Sequence, residues 1–427
     1  MPDTAFAYLV PQFPGQTHMF FWRELRALEA QGMRPVLFST TPPAAALIAH
    51  GWSAAAMART EYLATRSLRQ LAAILPRLPF GRIMAQAALE TGDDRRTFLR
   101  DVLICAPAAR RLAQSCAAQG LTHVHVHSCG RAALIAALAH HAYGLNYSLT
   151  LHGSLSDYGV GQRFKWQGAS FVSTVTHRLQ TQAATLLGDA MPARAVVQSM
   201  GVETDVLRRD APYVPCAPGE VLRLFSCARL NHLKGHEDSL AALRLMLDAG
   251  QPAQLTIAGE DDDGGHGYRR QLEQRIVALG LGDHVRLLGA IDAEAVRAQL
   301  LDAHVFVLPS LHEAIGVAFM EAMSCALPTV GCDVDGVPEL ITSGKDGILV
   351  PPHDPQALAD TLMRLARDPA LCHALGTAGR ARVEHGFRAQ DGADMLIREI
   401  RAKVPPDQPP PETLDRNSYQ GPSRNAA

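Results

Sequence analysis

The chain has 427 residues, enough for two domains with separate cores, and 47% of them are hydrophobic, which excludes a disordered polymer. No run of about 18 uncharged apolar residues is present, so no spanning helix is expected, and the opening MPDTAFAYLVPQFPG lacks the pattern of a secretion signal. The net charge of −2 hides an imbalance: residues 1–210 carry 20 Lys+Arg against 13 Asp+Glu (+7), and residues 211–427 carry 20 against 29 (−9).

Taken in order, Ala5–Val10 reads as a buried strand, Pro11–Thr17 as a loop, His18–Ala30 as a helix and Arg34–Ser39 as a second strand, a βαβ unit. The loop PQFPGQT joins a strand to a helix, so its amides could face a ligand. It lacks G-x-G-x-x-G, and a plain turn fits as well. Residues 62–118 read as Arg-studded amphipathic helices on a domain surface or, alternatively, with one lying on a membrane. In HVHVH (123–127) the histidines alternate with valines, so one strand face carries all three. With no carboxylate or cysteine partner nearby, metal is not expected there. Tyr147–Leu151 is a strand that delivers His152 to a loop. Gln167–Thr176 and Arg178–Leu187 continue as strand and helix, and residues 209–220 (RDAPYVPCAPGE) read as a polar linker.

A second alternation opens with the strand Leu222–Ala228. Arg229 and Lys234 lie in the loop before the helix Glu237–Ala249, with Gly235 allowing close approach. The strand in QLTIAGEDDDGG ends at Gly259. Its Asp261–Asp263 run has the look of a metal-binding D-x-D but is expected to be a solvated loop. HVRLLGAI (284–291) and Val305–Pro309 are further strands. Gly316 permits a turn after the loop Ser310–Ile315, and Val317–Ala326 is a helix. Glu313 thus stands in a loop at the carboxyl end of a strand, and Glu321 one turn inside a helix whose free N–H groups attract phosphate. A nucleotide sugar has the matching order: hexose hydroxyls, diphosphate, ribose hydroxyls. Helices follow over Pro355–Arg367, Ala370–Glu384 and 388–403, then a Pro-rich tail, 404–427, expected to be disordered. The alternation of strands and helices predicts α/β architecture with two doubly wound Rossmann-like domains facing across a cleft.

The stretch HEAIGVAFMEAMSCALPTVGCDVDGVPELITSGKDGILVPPHDPQALA resembles the donor-site signature of family-4 retaining GT-B glycosyltransferases, with its Glu, seven residues, Glu, its Gly-Val-Pro-Glu turn and its Gly-hydrophobic-Leu-Val. YLVPQFPGQTHMFFWREL resembles the opening of exopolysaccharide-type members. Thr150-Leu151-His152 matches a Thr-x-His segment whose His meets the donor sugar, although the acid usual three residues later is absent and Asp157 lies five on. VVQSMGVETDVL (196–207) resembles the segment closing the first domain, with Glu203 in place of Asp.

The resemblance implies an acceptor-side domain over residues 1–208, a linker over 209–220, a donor domain over 221–387 and a helix, 388–403, crossing back to the first domain. It implies transfer, with retention, of a hexose from a nucleotide-diphosphate sugar to a carbohydrate or polyprenyl-linked acceptor, as in exopolysaccharide or cell-surface glycan synthesis. His152 and Glu313 are then the catalytic pair that orients the sugar. Arg229 and Lys234 bind the diphosphate, Gly259, Ile315, Gly316 and Val317 line the donor site, and Glu321 meets the ribose. No metal or cofactor is implied; the nucleotide sugar is a substrate.

Eight scattered cysteines without C-x-x-C spacing fit a cytoplasmic protein with reduced thiols. The basic half either solvates helices or suits weak binding to an anionic membrane's inner face. Nucleic acid is not expected, because no basic-aromatic pattern accompanies the charge. Two alternatives stay open. A non-hydrolysing nucleotide-sugar epimerase would need clustered carboxylates that are not found. A non-catalytic nucleotide-sugar-binding subunit would not need the Arg, the Lys and both Glu together.

Overall fold

The computed structural model describes residues 5–15, 18–43, 50–65, 67–261 and 264–403. Short, mostly apolar runs make two parallel sheets whose inner strands, such as Ala5–Gln12, His123–His127 and Val305–Leu308, are buried on both faces. The first holds β1 (Ala5–Gln12), β2 (Arg34–Thr41), β3 (Glu61–Tyr62), β4 (His123–His127), β5 (Asn146–Leu151), β6 (Val172–Thr174) and β7 (Ala195–Val197), in the order β3-β2-β1-β4-β5-β6-β7. The second holds β8 (Leu222–Cys227), β9 (Ala253–Ala258), β10 (Val285–Leu287), β11 (Val305–Leu308), β12 (Thr329–Cys332) and β13 (Ile348–Val350), in the order β10-β9-β8-β11-β12-β13. Every pairing between these strands is parallel. Both orders reverse direction once, between β1 and β4 and between β8 and β11, as expected for two doubly wound domains.

Several boundaries differ from the sequence expectation. The helix after Gly316 spans Val317–Ser324 and stops short of Ala326, which takes a left-handed φ of 51°. The strands expected over 167–176 and 284–291 contract to β6 and β10; Ala169 N donates to Trp166 O at 3.0 Å in a turn before β6, and Gly259 N donates to Gly289 O at 2.8 Å past β10. The edge strand β7 was not foreseen. Gln16 and Thr17 of the PQFPGQT loop, Asp262, Asp263 and the tail 404–427 lie outside the described residues.

Residues 209–220 are not a free spacer along their whole length. Arg209 donates to the carbonyls of Cys325, Leu301 and Leu300 at 2.7–2.9 Å, and the buried Tyr213 hydroxyl donates to His304 O at 2.8 Å, so this segment is strapped to the second domain. The last helix, Ala389–Lys403, packs on Met19–Ala30 of the first domain. There Gln31 donates to Asp394 at 2.7 Å, and Arg194 makes two bonds to Glu399, of 2.6 and 2.8 Å. Val202 and Arg388 form an isolated parallel bridge where the two chain crossings meet.

Candidate functional site

Ligands of open α/β sheets sit past the carboxyl ends of the strands, where strand order reverses. A cavity of about 380 Å³ occupies that place between the two domains. Residues just past β5 (His152), β8 (Ala228, Arg229), β9 (Gly259) and β11 (Glu313) line it, with Met19, Phe20 and Arg23 of the first helix opposite.

The two loops of the second domain are held together by backbone. Gly235 takes φ +65°, and a Cβ there would stand 1.9 Å from Pro309 O, so a side chain would force the loops apart. Leu311 N donates to Leu233 O at 2.8 Å across the same seam. This brings Lys234 Nζ to 2.6 Å from Glu313 Oε2. Gly316, at φ +91°, makes the turn into the helix Val317–Ser324; a Cβ there would meet the Phe319 ring at 2.3 Å. Val317 and Glu321 of that helix face the cavity. Ala290 and Ile291, past β10, close the far wall.

Of the residues singled out from sequence, His152, Arg229, Lys234, Gly259, Glu313, Val317 and Glu321 share this one cavity. Ile315 and Gly316 do not line it. The Ile315 side chain is core, so these two shape the turn rather than the wall. Asp261 is not solvated as expected. It is buried, and its carboxylate accepts from the amides of Gly265, Gly267 and Arg269 at 2.8, 3.1 and 2.7 Å, which fixes the loop before the helix Tyr268–Ala278. Among the described residues no three His, Cys, Asp or Glu side chains gather in metal-binding geometry.

Motif reading missed the partners supplied by the first domain. Arg23, only 4% exposed, reaches across the cleft, and its Nη1 donates to Glu321 Oε1 at 2.6 Å; Glu203 Oε2 lies 3.8 Å from Arg23 Nε. Glu339 accepts from the amides of His177 and Arg178 at 2.7 and 2.8 Å, so a carboxylate of one domain caps a helix of the other. His312 Nδ1 stands 2.5 Å from Asp335, and its Nε2 is 3.7 Å from Asp157 of the first domain. The available signal for Arg23 and Glu24 was their place in the apolar stripe Phe21, Leu25, Leu28, where a charge demands a partner.

The His-bearing face of β4 is buried. His123 and His125 share Ser148 Oγ at 2.8 Å each, and His125 Nε2 meets Thr150 Oγ1 at 3.0 Å. His127 Nδ1 lies 3.0 Å from His152 Nε2. Burial, and then the neighbouring His127, push His152 down to about 3, so it enters the cleft as a neutral ring. His18 is lowered to about 4 by burial and then by the Arg229 charge. Near neutral pH these two rings are therefore neutral, and Arg23, Arg229 and Lys234 bring positive charge to the cavity wall.

Known proteins resemble this chain in sequence and in fold. Residues 217–382 match the family model described as Glycosyl transferases group 1. The amylovoran biosynthesis glycosyltransferase AmsK of Erwinia amylovora is 36% identical over 212 residues, 47% of this chain and 49% of that protein. The putative colanic acid biosynthesis glycosyltransferase WcaL of Salmonella typhimurium is 34% identical over 207 residues, again 47% and 49%. The matches thus span about half the length of these curated relatives. Among solved structures, Anabaena HepE in complex with UDP superposes with a TM-score of 0.70 at 17% identity, over 93% of this chain and all of that one. A Rickettsia africae glycosyltransferase gives 0.70 at 16%, over 95% and 100%. These likenesses establish the fold as GT-B.

Proposed function

We propose that this chain, whose residues 217–382 form a group 1 glycosyl transferase domain, moves a hexose from a nucleotide-diphosphate sugar to a hydroxyl of a carbohydrate or lipid-linked acceptor, with retention of configuration and without a metal. One observation carries the reading. Arg229, Lys234, Glu313, Glu321 and Val317, the first residue of the helix Val317–Ser324, line one cavity, with Lys234 Nζ 2.6 Å from Glu313 Oε2. Cleavage of the glycosidic bond leaves negative charge on the departing phosphate, and two cations with helix N–H groups stabilise it where it forms. Glu313, held by Lys234, and His152 from the opposite domain orient the hexose; Glu321 receives the ribose hydroxyls. The small walls at Ala290 and Ile291 take the base. The resemblance to amylovoran and colanic acid enzymes supports a place in exopolysaccharide synthesis.

The test is incubation of the purified protein with a panel of nucleotide sugars and candidate acceptors, with excess chelator, followed by chromatography of released nucleotide and NMR of the linkage. Acceptor-dependent nucleotide release with a retained anomeric configuration is expected. Interconversion of the sugars would mean an epimerase. Binding without turnover would mean a carrier subunit, and activity restored only by added divalent cation would remove the metal-free mechanism.

A further inference from the structure

One charged group of the first domain has no place in the scheme above. Glu24 is 5% exposed, on the buried face of the helix Met19–Ala30, and it does not line the cavity. An ionised carboxylate there needs donors, and two groups face it. The Tyr8 hydroxyl donates to Oε2 at 2.7 Å, and His127 Nε2 lies 3.0 Å from the same oxygen, off the line of an ideal hydrogen bond. His127 is fully buried, and its other nitrogen, Nδ1, is 3.0 Å from Nε2 of His152, which does line the cavity. Glu24 therefore touches the cleft only through two imidazoles in series.

The protons of this chain can be assigned from one end. Taken as ionised, Glu24 offers Oε2 as an acceptor only, and Tyr8 already donates to it. A bare ring nitrogen 3.0 Å from it would set lone pair against lone pair; His127 Nε2 accordingly carries the hydrogen even where the alignment is poor. A neutral His127 then has a bare Nδ1. The nitrogen facing it, His152 Nε2, must be N–H, because two bare nitrogens at 3.0 Å would repel. That leaves Nδ1 of His152 bare. The other histidines near the chain do not compete: both nitrogens of His125 are occupied by Ser148 and Thr150, and His18 packs on Phe21 and Phe13.

We propose that Glu24 is a positioning residue which, through His127, fixes the proton of His152 on Nε2 and presents its bare Nδ1 to the cleft as a hydrogen-bond acceptor for a hydroxyl of the donor sugar. The sugar's part in this rests on the transferase reading; the tautomers do not. A wrong tautomer would offer an N–H in place of a lone pair and cost the bond without changing the shape of the site.

The test uses the full-length protein with 15N-labelled histidine, reading the tautomers of His127 and His152 from long-range nitrogen–proton correlations, with single His→Gln variants to assign them. In the native protein both rings should be Nε2–H. Glu24→Leu removes the oxygen that Tyr8 and His127 both face, so neither ring should keep its hold on Nε2–H. Turnover of the nucleotide sugar should then fall about tenfold, as for one lost hydrogen bond, with affinity for free nucleotide unchanged. His152 found with Nδ1–H in the native protein would overturn the proposal, as would unchanged tautomers in a folded Glu24→Leu protein. If that variant does not fold, the native measurement decides. The predicted tautomers in a protein that turns over no nucleotide sugar would leave Glu24 its role and remove the transferase reading.

Discussion

The contact between Arg23 and Glu321 makes a quantitative claim about how the two domains hold each other. At about 4 Å between charge centres and an effective dielectric of about 20, the attraction is about 4 kcal/mol before desolvation is subtracted. Arg23 is 4% and Glu321 15% exposed, so neither charge recovers full hydration when its partner is removed. Breaking a buried pair from one side costs about 3–5 kcal/mol, against at most about 1 kcal/mol for a surface pair. Glu203, 3.8 Å from Arg23 but 42% exposed, compensates in part when Glu321 is lost. We therefore expect Glu321→Ala to destabilise by about 2–3 kcal/mol and Arg23→Met by a similar amount, with a coupling of about 2 kcal/mol in the double-mutant cycle. Urea unfolding followed by circular dichroism, with each domain's transition fitted separately, measures it. Calorimetry with free nucleoside diphosphate gives the functional half: Glu321→Ala should also lose about 1–3 kcal/mol of affinity, while Glu313→Ala should not. A coupling below about 0.5 kcal/mol would show that the pair behaves like a surface contact and would refute the reasoning.

Arg229→Ala and Lys234→Ala should each lower kcat/KM by about 2–4 kcal/mol in transition-state terms; unchanged kinetics in either would remove that residue from the phosphate site. Stability should fall on acidification below about pH 6.5, the unfolded histidine value. His123, His127 and His152 are lowered to about 3 by burial, and His18 and His236 to about 4, so between those values and 6.5 the unfolded chain binds more protons than the fold. His123→Gln should flatten the slope of the urea midpoint between pH 6 and 4 by about one proton, and an unaltered slope would contradict it. Phe80, Met84 and Leu89 are more than half exposed on one helix, with Arg77 and Arg82 beside them. Flotation with anionic vesicles should show weak, salt-sensitive binding that Met84→Asp reduces; binding indifferent to salt would argue against an electrostatic contribution.

The second domain was the more legible half from sequence. The spacing of Glu313 and Glu321 around Gly316, and of Arg229 and Lys234 before Gly235, encodes local turns, and local turns are what sequence spacing can express. Arg23, Glu24 and Glu339 act across distances of up to 298 residues along the chain, and no local pattern specifies such a partner. Asp261 was misread for a related reason: an acid in a glycine-rich loop looks solvated until the amides it collects are seen. The segment after residue 208 was read as a linker from its prolines, whereas the Arg209 guanidinium and the Tyr213 hydroxyl decide where it lies.

The chain passes between the domains twice, and the two passages are stitched to each other. Val202 N donates to Phe387 O at 2.9 Å, Ala389 N donates to Val202 O at 3.0 Å, and a Cβ on Gly201 would stand 2.1 Å from the carbonyl carbon of Arg388. Two separate tethers would let one half swing, slide and twist against the other. Fused into a single two-ply joint, they leave little freedom except rotation about the joint itself. Opening for substrate then becomes a motion along one coordinate. Arg23 stands beside that pivot, 3.8 Å from Glu203, so its bond to Glu321 shifts little over the first degrees of such a rotation.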